Sequence, residues 1–429
     1  MQTDVLIVGS GCAGLYCAMH LPSDKRVTVI TKSAVEDSDS YLAQGGICTL
    51  RDDNDFDSFF EDTLKAGHYQ NDRESVSIMI NSSQDVIRDL VDIGVDFNKT
   101  PDGDFDYTRE GAHSKKRILY HKDITGKEIT SKLYQYVKTL SNVTIIENNM
   151  LVDVVIKEGK CCGGVIKTQD GNIDAIFAHC TVFATGGIGG LYRHSTNFRH
   201  LTGDALAISL KHGIKLKNVN YVQIHPTTLY TQKKEDRRFL ISESVRGEGA
   251  KLYNKNMERF VDELLPRDLL TKEIRKQMER DGTDFVWEDL RPIGEKELKD
   301  HFPNIVEHCR EMGYDVFSGP IPVVPAQHYF MGGVEIDKQG NTSMPMLYAI
   351  GETACNGVHG KNRLASNSLL ESLVFAKRAA SDIAQKLSQT SSQTDTYINF
   401  DEYNDIDKLQ KEYSLMVRRE IDRMANVTK

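Results

Sequence analysis

The N-terminal segment holds the pattern that most restricts the fold of this chain. Asp4–Val8 (DVLIV) is a short apolar run of the kind that forms a buried parallel strand, and Leu15–Leu21 continues as a helix. Between them, GSGCAG places glycines at positions 9, 11 and 14. In this context the glycines permit a tight turn (Gly9), close approach of the backbone to a pyrophosphate (Gly11) and close packing of helix on strand (Gly14). The pattern predicts a parallel α/β domain that binds a dinucleotide at a helix N-terminus.

The second predicted strand departs from the usual form of this pattern. Arg26–Ile30 (RVTVI) is expected to pair with the first strand. An acidic residue that binds the ribose usually follows, about 20 residues after the glycines. Thr31 and Lys32 stand there instead. Either the dinucleotide is bound differently at the ribose or the motif is a false positive, and the later segments favour the first alternative.

Four later segments have features suited to the same site. Each combines glycine or small polar residues with the end of a predicted strand or the start of a predicted helix, and they are 38–47, 181–187, 347–352 and 362–371. The last opens a helix that continues through Ala380, and Ser366 or Asn367 is suited to its N-cap. Such a helix start directs partial positive charge towards a bound ring that gains electrons. An ordinary α/β turn explains each segment alone, but it poorly explains all four in this order.

Composition limits the class of protein. A chain of 429 residues is long enough for more than one domain, and its 39% hydrophobic and 27% charged residues are typical of a folded protein. The net charge of −9 argues against a general nucleic-acid binder, which needs a positive surface. The apolar runs are too short for a membrane span, and the eight cysteines form no CxxC pair. We therefore expect a cytoplasmic protein with reduced thiols and no metal site.

The motifs, in this order, resemble those of the succinate dehydrogenase/fumarate reductase flavoprotein family. The matching segments are GSGCAGL, AQGGI, ATGG, HPT, RGEGA, PRD, HYFMGG and GETACNGVHGKNRLASNSLLE, and they lie between residue 1 and about residue 385. The resemblance implies a Rossmann-like FAD-binding domain in two parts (1–218 and 330–399), an inserted α+β capping domain (219–329) and a short helical tail (400–429). A polar linker at 388–396 precedes the tail, which replaces the larger helical domain of longer members.

The resemblance also implies which residues contact FAD. They are Gly9, Ser10, Gly11, Ala13, Gly14, Lys32, Ser40, Gln44, Gly45, Gly46, Ala184, Thr185, Gly186, Asp204, Glu352, Ser366, Ser368 and Leu369. Membrane-bound members attach FAD covalently through a histidine, and Asp39 occupies that position in this chain. A carboxylate cannot form the same bond, so we expect FAD to be bound non-covalently.

Glu110 distinguishes branches within the family. Composition alone favours a solvated basic loop for 107–117, which includes Arg109, Glu110 and Gly111. The resemblance, however, is to the members that oxidise the amino dicarboxylate L-aspartate, which have an acid here that the succinate and fumarate enzymes lack. Glu110 is therefore expected to face the α-ammonium of the substrate. An acid at this place would favour aspartate over succinate, which carries no cation.

Five further residues are expected to bind and process a dicarboxylate. The resemblance assigns His225 and Ser242 to one carboxylate, and His328 and Arg363 to the other. Arginine is suited to a bidentate contact with a carboxylate. Arg267 is implied to handle a proton, although the high pKa of arginine makes it a poor base in general. A proton relay and electrostatic stabilisation are both open for this residue.

The implied activity is the flavin-dependent oxidation of L-aspartate to iminoaspartate. Oxygen or fumarate would take the electrons, and quinolinate synthase would consume the product on the way to NAD. The alternative within enzymes is a soluble fumarate reductase, which Glu110 disfavours. A rival of another class is a non-catalytic FAD-binding or redox-sensing module, because Cys12 lies in the glycine-rich turn. The set of His225, Arg267, His328 and Arg363 speaks against that rival.

Overall fold

The computed structural model describes residues 1–232, 237–388 and 398–427. In these ranges the strands are β1 (Gln2–Val8), β2 (Val27–Ile30), β3 (Ile47–Cys48), β4 (Ile118–Leu119), β5 (Val143–Ile146), β6 (Met150–Lys157), β7 (Lys160–Lys167), β8 (Ile173–Phe183), β9 (Leu216–Lys217), β10 (Val222–Leu229), β11 (Lys251–Tyr253), β12 (Val286–Asp289), β13 (Ile321–Phe330), β14 (Gly333–Glu335), β15 (Leu347–Ala349) and β16 (Ala354–Cys355). The α-helices in the same ranges are α1 (Cys12–Met19), α2 (Phe56–Ala66), α3 (Arg73–Asn81), α4 (Ser83–Asp92), α5 (Thr125–Val137), α6 (Asp204–Lys211), α7 (Glu243–Gly247), α8 (Arg267–Asp281), α9 (Glu295–His301), α10 (Pro303–Glu311), α11 (Asn367–Leu387) and α12 (Ile406–Val427).

The largest sheet has a parallel centre. Its strand order is β5-β2-β1-β8-β7-β6, and β15 also pairs with β8. Strands β5, β2, β1, β8 and β15 run parallel, whereas β6 and β7 form an antiparallel meander on β8. The register places Val8 opposite both Ile30 and Phe183, so three strands end side by side. Ligands of open α/β sheets bind beyond such carboxyl ends.

The apolar run of β1 is explained by burial on both faces of this sheet. Val5 and Ile7 belong to the core that includes α1 and α11. Leu6 and Val8 belong to the opposite core, which includes α6. Successive side chains of a strand point to opposite faces, so a strand covered on both must be apolar throughout. The structure confirms the predicted parallel α/β fold.

An antiparallel sheet occupies the segment predicted to be the capping domain, and its strand β13 ends one residue beyond that segment, at Phe330. Its order is β10-β13-β12-β11, and α8 packs against β10. Its own core includes Leu252, Leu270, Val286 and Ile321. A separate sheet and core fit an inserted unit, and the boundaries at 219 and 329 stay a prediction.

The end of the chain is helical, as predicted. A 3-10 turn at Phe400–Tyr403 precedes α12, and Tyr413 and Val417 of α12 are buried in the same core as α6. The Tyr403 hydroxyl donates to Asp153 Oδ2 at 3.0 Å, which fixes the start of the tail to β6. Apart from Ser388, the predicted linker lies outside the described residues.

Candidate active site

A cavity of about 470 Å³ lies beyond the carboxyl ends of β1, β2, β8 and β15. All the residues predicted to contact cofactor or substrate line it, with the exception of Gly14. The residues on the substrate side of the wall are Glu110, His225, Ser242, Arg267, His328 and Arg363. The fold therefore brings the two predicted sets into one space, and their roles as ligands stay predictions.

The glycine-rich turn has the close contacts that the sequence predicts. Gly9 has φ of +118°, and a Cβ there would lie 2.0 Å from the carbonyl oxygen of Ala184. A Cβ on Gly14 would lie 2.0 Å from the carbonyl oxygen of Gly9, so this glycine packs α1 on the turn and does not face the cavity. At Gly11 a Cβ would lie 3.2 Å from Ser40 Oγ. Gly9 and Gly14 thus serve the turn and the helix packing, and Gly11 leaves room in the cavity wall.

Lys32 pairs with an acid from a distant segment. Its Nζ donates to Asp204 Oδ2 at 2.7 Å and to the His200 carbonyl at 2.9 Å. Asp204 is the first residue of α6, and both charged side chains line the cavity. The carboxylate missing after β2 is therefore present at the same end of the cavity, but it arrives through the tertiary fold.

The donors and acceptors of the wall fit FAD. Helices α1 and α11 both begin at the cavity, which offers main-chain N–H groups to a pyrophosphate or to an electron-rich ring. Within the described residues, Ser38 Oγ, Asp39 Oδ2 and Gln44 Oε1 are buried without a hydrogen-bond partner. All three residues line the cavity. Buried polar atoms normally have partners, so these atoms indicate a polar ligand.

Asp39 is poorly suited to a covalent link. Its Oδ1 accepts the main-chain N–H of Phe198 at 3.1 Å. Burial raises the pKa of its carboxyl above the usual value. A carboxylate cannot form the histidine-type bond to the flavin, so non-covalent FAD stays the prediction.

The start of α11 has one of the two predicted N-cap residues but lacks its capping hydrogen bond. Ser366 occupies the N-cap position in the left-handed region, with φ of +60°, but its side chain caps no helical N–H. Its Oγ accepts the N–H of Gly46 at 3.1 Å and donates to Glu110 Oε2 at 2.5 Å. The helix start therefore keeps its free N–H groups at the cavity, while Ser366 holds the acid.

Glu110 is a buried carboxylate held by two hydroxyls. The Oγ of Ser244 donates to its Oε1 at 2.6 Å, and Ser366 holds its Oε2. Burial and then the charge of Glu243 raise the pKa of Glu110, against the lowering effect of the two hydroxyls. A carboxylate in this environment is stabilised by a nearby cation, such as an ammonium group of a ligand.

Arg267 is fixed by two side chains that the sequence analysis did not select. Its Nε donates to Glu243 Oε2 at 2.5 Å, and its Nη1 donates to Gln223 Oε1 at 2.9 Å. Burial acts to raise the pKa of Glu243, but Arg267 and Arg246 bring it below its usual value. The Arg267 site is therefore an ion pair inside the cavity wall.

His225 and His328 form an uncharged pair. Their ring centroids are 5.1 Å apart. The Nδ1 of His328 contacts Thr196 Oγ1 at 2.8 Å, and the Nδ1 of His225 contacts the main chain of Thr227. Burial and then a nearby arginine (Arg267 for His225, Arg363 for His328) lower the pKa of both rings well below the usual value. Within the described residues His225 Nε2 has no partner, so it is available to a ligand.

Arg363 and Ser242 complete the substrate side. The Nη1 of Arg363 donates to Ser368 Oγ at 2.5 Å, and its Nε donates to Gln223 Oε1 at 3.3 Å. Ser242 is the N-cap of α7, where its Oγ accepts the N–H of Ser244 at 3.3 Å. One oxygen of Gln223 thus joins both arginines and sets their spacing.

Glu243 and Gln223 could have been found from a general rule. Each stands next to a predicted site residue, Glu243 beside Ser242 and Gln223 two places before His225. A buried arginine requires an anion or strong acceptors, so acids and amides beside a predicted arginine pocket are candidates. Nothing in the spacing showed which of them reaches Arg267.

Comparisons with known proteins agree with this geometry. The model of a family described as "FAD binding domain" matches residues 4–369. L-aspartate oxidase of Clostridium perfringens is 50% identical over 380 residues, which are 89% of this chain and 86% of that protein. The L-aspartate oxidase of Clostridium acetobutylicum is 47% identical over 388 residues, 90% of this chain and 89% of that one. The chain belongs to the L-aspartate oxidase family.

Solved structures place this L-aspartate oxidase family member beside a fumarate reductase and Sdh1. A variant of FrdA from the E. coli quinol fumarate reductase superposes with a TM-score of 0.86 at 29% identity, covering 98% of this chain and 74% of that one. Sdh1 of Mycobacterium smegmatis, solved with UQ1, gives a TM-score of 0.77 at 28% identity, covering 91% and 70%. In the described part of the chain, no helix has the length and apolar character needed to cross a membrane.

Proposed function

We propose that this chain oxidises L-aspartate to iminoaspartate with non-covalent FAD. The observation that carries the proposal is Glu110, a buried carboxylate in a cavity whose other substrate-facing groups are mainly donors. Donors suit the two carboxylates of aspartate, succinate or fumarate equally. Only aspartate among them carries an ammonium group for Glu110 to bind.

The substrate would be held at both ends. His225 and Ser242 are assigned to one carboxylate, and His328 and Arg363 to the other. Neutral imidazoles fit this role because each presents one N–H donor without adding positive charge beside the two arginines. Two fixed ends leave the Cα–H bond in one orientation, which is the main requirement of a hydride transfer.

FAD, when bound, would accept the hydride from Cα and pass the two electrons on to oxygen or to fumarate. The residues of this chain supply the electrostatic field around the substrate. Arg267, paired with Glu243 in the buried wall, would stabilise negative charge on a bound dicarboxylate. The Glu110 carboxylate would pair with the α-ammonium group and so hold the amine end of the substrate in place.

The reactivity of iminoaspartate indicates which enzyme uses it next and in which compartment. Iminoaspartate hydrolyses readily in water, so an enzyme that consumes it must act nearby. We propose quinolinate synthase as that metabolic partner, and the cytoplasm as the compartment.

The test is anaerobic mixing of the purified yellow protein with L-aspartate or with succinate, with flavin absorbance as the readout. We expect aspartate to bleach the flavin and succinate to leave it oxidised. Bleaching by succinate alone would overturn the proposal and assign the chain to the fumarate reductases, whose fold it shares. If neither compound bleached the flavin, oxidation of aspartate and of succinate would both be excluded as the activity of this chain.

A further inference from the structure

The two arginines of the cavity are held in different ways. Arg267 is paired with Glu243, whereas within the described residues no carboxylate lies within 4.0 Å of a nitrogen of Arg363. Both side chains are almost fully buried. An isolated buried guanidinium is costly, and its two hydrogen bonds, to Ser368 and Gln223, go to neutral groups. The carboxylates of Glu352 and Glu110 favour this charge from beyond 4.0 Å, and a group in direct contact must supply further support.

The face of Tyr329 contacts this guanidinium. The Cζ of Arg363 lies 4.3 Å from the centroid of the Tyr329 ring, well within the range of a cation–π interaction. This interaction is strongest where water is excluded, as it is here. Burial raises the pKa of the Tyr329 hydroxyl well above its usual value, so the ring acts as a neutral aromatic and not as a phenolate.

Tyr329 is itself held firmly. It lies in β13 directly after His328, and its backbone is paired with Gln223 of β10. The ring of His359 packs edge-on against it, with centroids 5.4 Å apart and an angle of 88°. The Tyr329 hydroxyl contacts His359 Nε2 at 3.4 Å. The ring is therefore a rigid support with little freedom to move away from Arg363.

An aromatic support suits a carboxylate clamp better than an acid does. A carboxylate beside Arg363 would occupy its free N–H donors and would repel the incoming carboxylate of the substrate. The face of a ring stabilises the cation without using any of these N–H donors. The unpaired positive charge then stays available to the ligand.

We propose that Tyr329 is a positioning residue whose ring face holds Arg363 ready for the substrate carboxylate that Arg363 and His328 are assigned to bind. The inference rests on the proposed binding of a dicarboxylate, but it concerns a residue that the binding scheme above leaves without a role. It predicts that the ring matters and that the hydroxyl matters little.

The test compares two substitutions in the holoenzyme, with the dissociation constant of succinate measured by its perturbation of the flavin spectrum. Tyr329→Leu removes the ring and is expected to weaken succinate binding about tenfold, which corresponds to about 1.4 kcal/mol. Tyr329→Phe restores the ring without the hydroxyl and is expected to bind within about threefold of the parent chain. Tyr230→Leu is the matched control, because Arg238 lies over the Tyr230 ring at 5.8 Å outside the cavity.

A double-mutant cycle separates positioning from general damage. If Tyr329 acts through Arg363, the Leu substitution should have no further effect on succinate binding in an Arg363→Ala background. Full additivity of the two changes, or unchanged binding by Tyr329→Leu, would overturn the inference. Should the Leu variant lose FAD, Tyr329→Met removes the ring with a more adaptable side chain and is measured in its place. The proposed function fails separately, if the parent chain is not bleached by L-aspartate.

Discussion

The cofactor side and the substrate side of the cavity are built in different ways. On the cofactor side, Gly9, Lys32, Ala184 and Glu352 each lie within a few residues of the end of a parallel strand. Their position follows from local chain geometry and from the sheet. On the substrate side, the functional groups come from segments far apart in the chain, which are strands β10 and β13, the starts of α7 and α8, and two loops. The first side is specified by backbone shape, and the second by charges that depend on one another.

This difference determines what each side tolerates. The cofactor side requires that side chains be absent at Gly9 and Gly14, where a Cβ would meet main-chain atoms that cannot move aside. The substrate side depends on pairs, such as Arg267 with Glu243 and Arg363 with Tyr329. A change on the first side should damage folding and cofactor binding together, whereas a change on the second should leave FAD bound and alter chemistry.

The largest effect is expected for Gly14→Ala. Its Cβ would lie 2.0 Å from the Gly9 carbonyl oxygen, so α1 or the turn must shift. We expect loss of bound FAD and a free energy of unfolding lower by about 3 kcal/mol or more, at the upper end for overpacking. Flavin content and denaturant unfolding measure both. Gly319→Ala is the control, because a Cβ there meets nothing within 4 Å, and an equal loss in both variants would contradict the packing role.

Arg267→Ala should separate chemistry from cofactor binding. Removing a preorganised charge at a reaction site typically lowers kcat by about 100-fold or more, and we expect at least this loss with flavin content near that of the parent chain. It also leaves Glu243 buried without its closest partner, so the variant should unfold more easily. The double variant Arg267→Ala/Glu243→Gln should recover stability relative to Arg267→Ala, but it should not recover turnover. Turnover that survives Arg267→Ala would remove this residue from the mechanism.

Glu110→Gln should alter selectivity more than rate. We expect the KM for L-aspartate to rise about tenfold or more, the usual scale for a lost charge-assisted contact, while succinate binds more tightly. Glu248→Gln is a suitable control, because that acid pairs with His301 outside the cavity. An unchanged preference for aspartate over succinate in Glu110→Gln would show that another group binds the ammonium of the substrate.

The pH dependence of aspartate binding gives a second measure of the same residue. Burial raises the pKa of Glu110, so its carboxylate becomes neutral on acidification sooner than an exposed glutamate does. A neutral carboxyl cannot pair with the ammonium group. Affinity for aspartate should be full above this raised pKa and should fall as the pH drops through it, and the Glu110→Gln variant should lack this step.

The same contrast explains what the sequence could reveal. The strand–turn–helix at the N-terminus was predictable, because the roles of Gly9 and Gly14 depend on neighbours in the chain. Asp204 near Lys32 was assigned only through family resemblance, since no local rule joins residues 172 positions apart. The contacts of Glu243 with Arg267 and of Tyr329 with Arg363 were not predicted. They depend on the packing of β10, β13 and α8 and leave no periodic pattern in the sequence.

Cys12 is a side chain within the glycine-rich turn of the cofactor side, and its substitution should have the smallest effect of the changes considered. The thiol is buried at the start of α1, and Ser40 Oγ donates to its Sγ at 3.2 Å. Burial raises the pKa of this thiol to about 11, so at neutral pH almost no thiolate is present to react with an oxidant. Cys12→Ser should change FAD affinity by no more than about threefold, because serine retains a small group that Ser40 can contact. Oxidant treatment of the parent chain and of Cys12→Ser, followed by titration of the remaining thiols, measures whether Cys12 is oxidised. Selective oxidation of Cys12 in the folded holoenzyme, with loss of FAD, would support a redox-sensing role. It would also show that the glycine-rich turn depends on the Cys12 side chain as well as on backbone shape.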